Sequence, residues 1–130
     1  MSKVCGTNFL LFILNFLLFS SCKHEEEDVI THIYNATIKV SVYHQIVKPS
    51  GDFENIPIDD ALIELYKTEY DLQNNLNLVL ALHSDSNGLA TFYNLKEKYY
   101  YIRASHPTYG TQLEETGTPD GTTSFVDFIF

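Results

Sequence analysis

The sequence predicts an all-β fold, a single-domain antiparallel β-sandwich of about seven strands. Apolar and polar residues alternate in several short stretches, which is the pattern of strands with one buried face. Turn-forming Gly, Asn, Asp and Pro residues separate these stretches, and no long stretch has the spacing of an amphipathic helix. Aromatic residues form 14% of the chain, and they supply large side chains for the space between two sheets.

The first predicted strand is ATIKVSVY, residues 36–43, in which Ile38, Val40 and Val42 share one face. The intervening Thr, Lys and Ser residues take the other face, so we expect this strand to be half-buried. Residues 48–57, KPSGDFENIP, contain Pro, Gly and Asp and are predicted to form a loop.

The second predicted strand lies in DALIELYKTE, residues 60–69. Ala61, Ile63 and Leu65 recur at every second position, which places them together on one face of a strand. Residues 70–75, YDLQNN, are predicted to form a polar connection after it.

The next stretch, LNLVLALHS at residues 76–84, is rich in Leu and Ala and is also compatible with a helix. A strand is favoured because the run is short and ends in the turn signal SDSNG. In that turn Asp85 is expected to bond the backbone ahead of it, and Gly88 to adopt a positive φ. Residues 89–95, LATFYNL, follow as another strand with Ala90 and Phe92 on one face.

The last part of the chain contains two further predicted strands. Residues 98–105, KYYYIRAS, alternate so that Tyr100, Ile102 and Ala104 share a face. Residues 106–123 are predicted to form a long loop with at most a short strand at its centre. The chain closes on SFVDFIF, residues 124–130, as the final strand.

Residues 56–110, about half of residues 22–130, carry an ordered set of motifs: Pro57, Ala61 to Tyr66, Asp85 to Gly88, Ala90, Phe92, Leu95, and Tyr100 to Ala104. This set resembles the transthyretin-like (prealbumin-like) β-sandwich family. Members of that family include carboxypeptidase regulatory-like domains and Cna-B-type repeats of bacterial surface proteins. The resemblance implies that the turn at Asp85 to Gly88 closes a hairpin and that Phe92 and Leu95 fill the gap between the sheets. It does not imply catalysis by any of these residues.

Lys39, on the first predicted strand, is the one candidate for a covalent cross-link within the domain. Some Cna-B-type repeats form an internal bond between a lysine and an asparagine, but the last strand of this chain has no asparagine. Lys39 is therefore expected to be an exposed charge at a sheet edge, where a charge discourages strand-to-strand aggregation.

Tyr99 and Tyr101 are the candidate ligand or partner surface. In a strand only alternate side chains share a face, so these two point away from the core if Tyr100 points into it. Outward tyrosines stack on sugar rings or anchor a protein partner. Cross-strand aromatic packing is the alternative interpretation and stays open. Tyr93 and Tyr109 lie near this group in the sequence.

The sequence indicates no metal, cofactor or catalytic residue. Asp59, Asp60, Asp85 and Asn87 are ordinary turn residues, too few for the six to eight oxygen ligands that calcium takes. The five histidines are scattered without metal-ligand spacing, and no nucleophile or phosphate-loop motif occurs. We therefore expect a protein that is not an enzyme.

The N-terminus has the features of a secretory signal. An apolar run from Phe9 to Phe19 is too short to span a bilayer, which needs about 20 residues, but it fits the apolar region of a signal peptide. Phe19-Ser20-Ser21-Cys22 then resembles the bacterial lipoprotein box, in which the cysteine thiol receives a diacylglyceryl group. The resemblance implies a signal peptide over residues 1–21 and a membrane anchor at Cys22. An acidic tether would follow to residue 35, and the β-sandwich would span residues 36–130.

The tether carries a dense acidic block. Its residues Lys23, Glu25, Glu26, Glu27 and Asp28 resemble the surface-export signal of Bacteroidota lipoproteins, although a plain hydrophilic spacer remains the alternative. The net charge of −9 argues against nucleic acid as a partner, because affinity for phosphates comes from Lys and Arg. The sequence thus predicts a lipid-anchored outer-membrane protein, exposed at the cell surface, with a protein or glycan partner. A periplasm-facing accessory lipoprotein is the alternative.

The lipoprotein assignment predicts that Cys22 is the only cysteine that matters for anchoring. Cys22→Ala should abolish incorporation of radioactive palmitate, because no thiol is then present at the cleavage site. Cys5→Ser is the matched control and should label like the wild type, since Cys5 leaves with the signal peptide. Labelling of the Cys22→Ala protein would contradict the assignment.

Overall fold

The fold comes from a computed structural model, which describes residues 33–130. These residues contain eight strands and one short helix. The elements are β1 (Ala36–Val47), β2 (Phe53–Pro57), β3 (Leu62–Tyr66), α1 (Glu69–Asn74), β4 (Leu80–His83), β5 (Leu89–Leu95), β6 (Tyr99–His106), β7 (Gly110–Gly117) and β8 (Thr123–Ile129). Residues 1–32, with the signal segment, Cys22 and the acidic block, lie outside the described residues.

Two four-stranded sheets face each other. In the sheet built on β1, that strand pairs with β8 on one side and with β5 and β2 on the other. The second sheet has the order β4-β3-β6-β7. All pairs are antiparallel except β1 with β8, which run parallel from Thr37↔Thr123 to Tyr43↔Ile129. The predicted β-sandwich is therefore confirmed, with one parallel pair and eight strands in place of about seven.

The core forms from the alternating faces that the sequence predicts. Ile38, Val40 and Val42 on β1 are at most 1% exposed, and Ile63 and Leu65 on β3 are fully buried. The other buried apolar side chains of this cluster are Ala36, Ile58, Ala61, Ala90, Phe92, Leu95, Tyr100, Ile102, Ala104, Val126 and Phe128. Burial of this apolar area is the main stabilising term of the fold.

Three elements differ from the sequence predictions. β2 lies within the predicted loop 48–57, and β7 spans most of the central part of the predicted loop 106–123. All five side chains of β2 are exposed, so no buried face marks it as a strand. α1 occupies the predicted polar connection and is only six residues long, too short to show helical periodicity. Its N-terminus is capped by Thr68, whose hydroxyl accepts a hydrogen bond from the Asp71 amide at 3.0 Å.

The turn between β4 and β5 has the predicted geometry but a different role. The Asp85 carboxylate accepts hydrogen bonds from the amides of Asn87 and Leu89, and Gly88 has φ +75°. A side chain at Gly88 would place its Cβ 2.3 Å from the Val42 carbonyl, so only glycine fits. The expectation of a hairpin is wrong, because β4 pairs with β3 and β5 pairs with β1. The turn carries the chain from one sheet to the other.

Ser84 joins this crossing to an earlier one, between β2 and β3; the chain also changes sheet between β5 and β6 and between β7 and β8. Its hydroxyl donates to the Ile58 carbonyl at 2.7 Å and accepts from the Ala61 amide at 2.9 Å. The Ser84 backbone adds bonds to Ala61 and Asp60. The side chain is 4% exposed, so water cannot replace these partners.

Lys39 corrects another expectation. It pairs with Thr91 on one side and Phe125 on the other, so it lies on a central strand and not at a sheet edge. Its side chain is exposed on the outer face of that sheet, away from the core.

No helix among residues 33–130 is long and apolar enough to cross a membrane.

Ser84→Ala is expected to lower the free energy of unfolding by about 1–3 kcal/mol, because two buried backbone groups lose their partner. Ser86→Ala is the control: this serine is exposed in the same turn, and its loss should change stability by less than about 0.5 kcal/mol. Denaturant unfolding of the purified protein measures both. Equal effects of the two substitutions would show that the Ser84 hydroxyl does not join the crossings.

Candidate functional site

The two candidate tyrosines lie together on the outer face of the second sheet. Tyr100, between them on β6, is 1% exposed and points into the core, so Tyr99 and Tyr101 point outward as predicted. Their ring centroids are 5.4 Å apart in an edge-to-face arrangement. Tyr99 is 42% exposed, so its ring contacts solvent. Tyr101 is half-buried, so its ring is partly covered by neighbouring side chains.

Glu115 completes this group from the neighbouring strand. It lies directly opposite Tyr101 in the β6–β7 register and therefore on the same face. Partial burial raises the pKa of Tyr99, and the charge of Glu115, the neighbouring Tyr101 and a hydrogen bond to Glu115 raise it further. Tyr99 therefore keeps its proton at neutral pH. The Glu115 carboxylate beside it offers several acceptor positions.

An open groove of about 230 Å³ runs beside Tyr101, between α1 and β7. It is lined by Glu69, Leu72, Gln73, Tyr101, Leu113, Glu114 and Glu115. The side chains on this face combine an aromatic ring and two leucines with the carboxylates of Glu69 and Glu115 and one amide. Glu114 lies opposite the core residue Ile102, so its side chain points to the other face of the sheet. Among residues 33–130 no lysine or arginine lines it, so the electrostatic character of its described lining is acidic.

Arg103 positions α1 over the sheet and so shapes the groove. Its guanidinium donates to the Glu64 carboxylate at 2.8 Å and to the Tyr66 hydroxyl at 2.8 Å. A third bond, at 3.2 Å, goes to the carbonyl of Leu72 within α1. The guanidinium also lies 5.3 Å from the centre of the Tyr66 ring, within cation–π range. Arg103 therefore binds β3 and α1 at the same time.

A small second core forms under the helix. Tyr66 and Leu72 are buried, at 2% and 4% exposure, although neither belongs to the main core cluster. Burial and the Glu64 charge raise the pKa of the Tyr66 phenol, against the opposing effect of Arg103. The phenol stays protonated, and its oxygen accepts from Arg103. The helix is thus fixed by one buried leucine and one charged network.

This arrangement suits recognition of a ligand that offers both apolar faces and hydrogen-bond donors. A tyrosine ring packs against an apolar face, while carboxylates and the Gln73 carbonyl accept from hydroxyl or amine groups. The carboxylates of Glu69 and Glu115 repel anions. Within residues 33–130, no three His, Cys, Asp or Glu side chains gather in a way that could hold a metal ion.

The structure separates residues that are close in the sequence. Tyr93 lies on β5 in the other sheet, and Tyr109 packs between His44 and His106, so neither joins Tyr99 and Tyr101. Cys22, Lys23, Glu25, Glu26, Glu27 and Asp28 lie outside the described residues, and their roles stay predictions.

Sequence reasoning missed the part of the site that surrounds the tyrosines. Arg103 has the same parity on β6 as Tyr99 and Tyr101, which was the available signal that it shares their face. α1 had no signal, because residues 70–75 were predicted to form a polar connection. β7 lies where at most a short strand at the centre of a loop was predicted, and its eight residues exceed that prediction.

Comparison with known proteins supports the fold alone. No family model matches the chain, and no curated protein matches it in sequence. Among solved structures, the TIE protein of Bacillus anthracis matches 74% of this chain at 11% identity with a TM-score of 0.52. The minor pilin of the Gram-positive pathogen Streptococcus agalactiae matches 75% at 14% identity with a TM-score of 0.54.

These likenesses agree with the predicted β-sandwich, while the narrower resemblance to the transthyretin-like family stays a prediction. This chain spans only 16% and 44% of the lengths of those two proteins, so their activities and partners are not transferred to it. A proposed carbohydrate-binding protein of Pseudomonas aeruginosa matches 77% of this chain and 91% of its own length at 12% identity. Its TM-score of 0.49 is too low to support an argument.

Arg103→Ala is expected to lower the free energy of unfolding by about 1.5–3 kcal/mol, because Glu64, Tyr66 and the Leu72 carbonyl lose a charged donor. Lys39→Ala is the matched control on the exposed face of the other sheet and should change stability by less than about 0.5 kcal/mol. The loss of stability in Arg103→Lys should lie between those of Arg103→Ala and the control, since a lysine ammonium keeps the charge but cannot reproduce the planar guanidinium geometry. Denaturant unfolding decides, and an Arg103→Ala effect no larger than the control would contradict the network.

Proposed function

We propose that this chain is a lipid-anchored outer-membrane lipoprotein, exposed at the cell surface, which works as a non-enzymatic glycan-binding module. The observation that carries the binding role is the groove beside Tyr101, where an outward aromatic pair meets carboxylates and an amide. The anchor and the location rest on the lipoprotein box at Cys22 and on the acidic block that follows it.

The chemistry of the groove favours a saccharide. A sugar ring has an apolar face that packs on tyrosine and a rim of hydroxyl groups that donate to carboxylate and amide oxygens. The side chains of Gln73, Glu69 and Glu115 supply such acceptors around Tyr101. Their charge disfavours anionic sugars, so the ligand class is a glycan without carboxylate or sulfate groups.

The size of the groove indicates how the glycan binds. At about 230 Å³ it is smaller than the roughly 300–1,000 Å³ of pockets that enclose whole small molecules. It suits one part of a longer chain that lies across the surface. The exposed ring of Tyr99 extends the contact beyond the groove.

Anchoring to a membrane and exposure outside the cell agree with this role. Acyl chains on Cys22 would supply stable attachment, because each buried methylene contributes about 0.8 kcal/mol. The acidic block would remain solvated next to the anchor and present several carboxylates to a basic sorting receptor. A periplasm-facing accessory lipoprotein is the second candidate, favoured if the block is a plain spacer.

Changing Glu25, Glu26, Glu27 and Asp28 together to Ala should move the protein from the outer to the periplasmic face without loss of lipidation. Protease added to intact cells should then digest the wild type and spare the variant. A control that changes the three glutamates to Asp preserves the charge and should be digested like the wild type. Equal digestion of wild type and Ala variant would make the block a spacer, and protection of both would place the protein inside the envelope.

Cells that display the chain should bind neutral glycans on an array, and Tyr101→Ala should weaken this binding by about 2- to 13-fold. The estimate follows from about 0.5–1.5 kcal/mol for an aromatic contact. Tyr101→Phe is the control, because it preserves the ring and should retain most of the binding. Binding to acidic glycans alone, or equal binding by Tyr101→Ala and wild type, would contradict the glycan site.

A further inference from the structure

The open edge of the second sheet carries exposed leucines. β4 is the terminal strand of the sheet order β4-β3-β6-β7 and pairs only with β3 among the described strands. Leu80 and Leu82 lie opposite Leu65 and Ile63, so their side chains point to the core side of the sheet. They are nevertheless 43% and 40% exposed.

These leucines face an uncovered opening between the two sheets. Leu80 from β4 and Leu95 from β5 line one open groove of about 250 Å³, together with the ring of Tyr100. Beside it the backbone groups of β4 that point away from β3 pair with no other described strand, since an antiparallel ladder uses only alternate groups on each side. Such an edge is a template for one more strand.

The two ends of β4 carry opposite charge. Lys67 and Lys96 line the groove at the Leu80 end, and Glu97, 3.9 Å from Lys67, offsets one of them. At the other end Asp60 lies 2.9 Å from the imidazole of His83, and Asp59 and Asp85 flank this pair in the chain. The strand edge therefore runs from a basic end to an acidic end over a length of about 13 Å.

This polarity selects a second copy of the same chain as the occupant. In an antiparallel pair of β4 strands related by a two-fold axis, each end of one strand meets the opposite end of the other. Lys96 of one copy would then face Asp60 of the other, twice by symmetry, and the leucines of both copies would cover each other. We propose that the protein forms a two-fold dimer through β4, edge to edge. The dimer does not depend on the glycan groove, which lies across the sheet at α1 and β7.

Cross-linking in cells tests the dimer on the full chain. Ala81 lies at the middle of β4, close to the two-fold axis, so Ala81→Cys treated with a short, membrane-permeant bismaleimide should give a covalent product of twice the chain mass. Thr111→Cys is the matched control, an exposed position on β7 at the opposite edge of the same sheet. It should give no more dimer than the unaltered chain, which sets the background.

A charge exchange in the Ala81→Cys chain tests the pairing itself. Lys96→Glu alone and Asp60→Lys alone should each lower the dimer yield about fivefold, since each brings like charges together twice. The two changes combined should restore it. The amount of protein in the cells, measured alongside, shows that the variants fold. The proposal is overturned if Ala81→Cys and Thr111→Cys cross-link equally, if the product has the mass of a different partner, or if the combined exchange fails to restore the dimer.

Discussion

The buried hydroxyl of Ser84 is the interaction on which the sandwich depends. The chain passes between the sheets four times. Ser84 belongs to the second of these crossings, from β4 to β5, and bonds the first, from β2 to β3. Polar backbone at a crossing loses its water when the sheets close over the core, so it needs an internal partner. The Ser84 hydroxyl, acting as donor and acceptor, is the partner of two backbone groups, the Ile58 carbonyl and the Ala61 amide. Next to it, Gly88 lets the second crossing pass close to β1.

With the sheets joined in this way, the outer face of the second sheet becomes a stable support for a site. Arg103 lies at its centre and ties α1 to β3 through a carboxylate, a phenol and a helix carbonyl. The groove exists because this network holds the helix beside β7. Side chains alternate between the two faces of a strand. The inward residues therefore stabilise the core, and the outward residues of the same strands form the candidate binding surface.

Strands with one buried face were predictable, and elements without one were not. β1, β3, β6 and β8 show apolar residues at every second position, because their inner faces fill the core. β2 and β7 have few buried side chains, so their residues resemble loops. The hairpin expected at Asp85 to Gly88 was wrong for another reason. Local turn chemistry determines how the chain reverses, but the choice of strand partner depends on contacts far apart in sequence.

For the candidate site, the sequence by itself determined that Tyr99 and Tyr101 point outward, because Tyr100 between them belongs to the core face of β6. The sequence also determined the acidic character of the chain and the turn geometry at Gly88. Only the tertiary structure decided which residues surround the tyrosines. Glu115 reaches them through the β6–β7 register, and Gln73 through the docking of a six-residue helix. Both placements come from pairing and packing between separate segments, which no local pattern encodes.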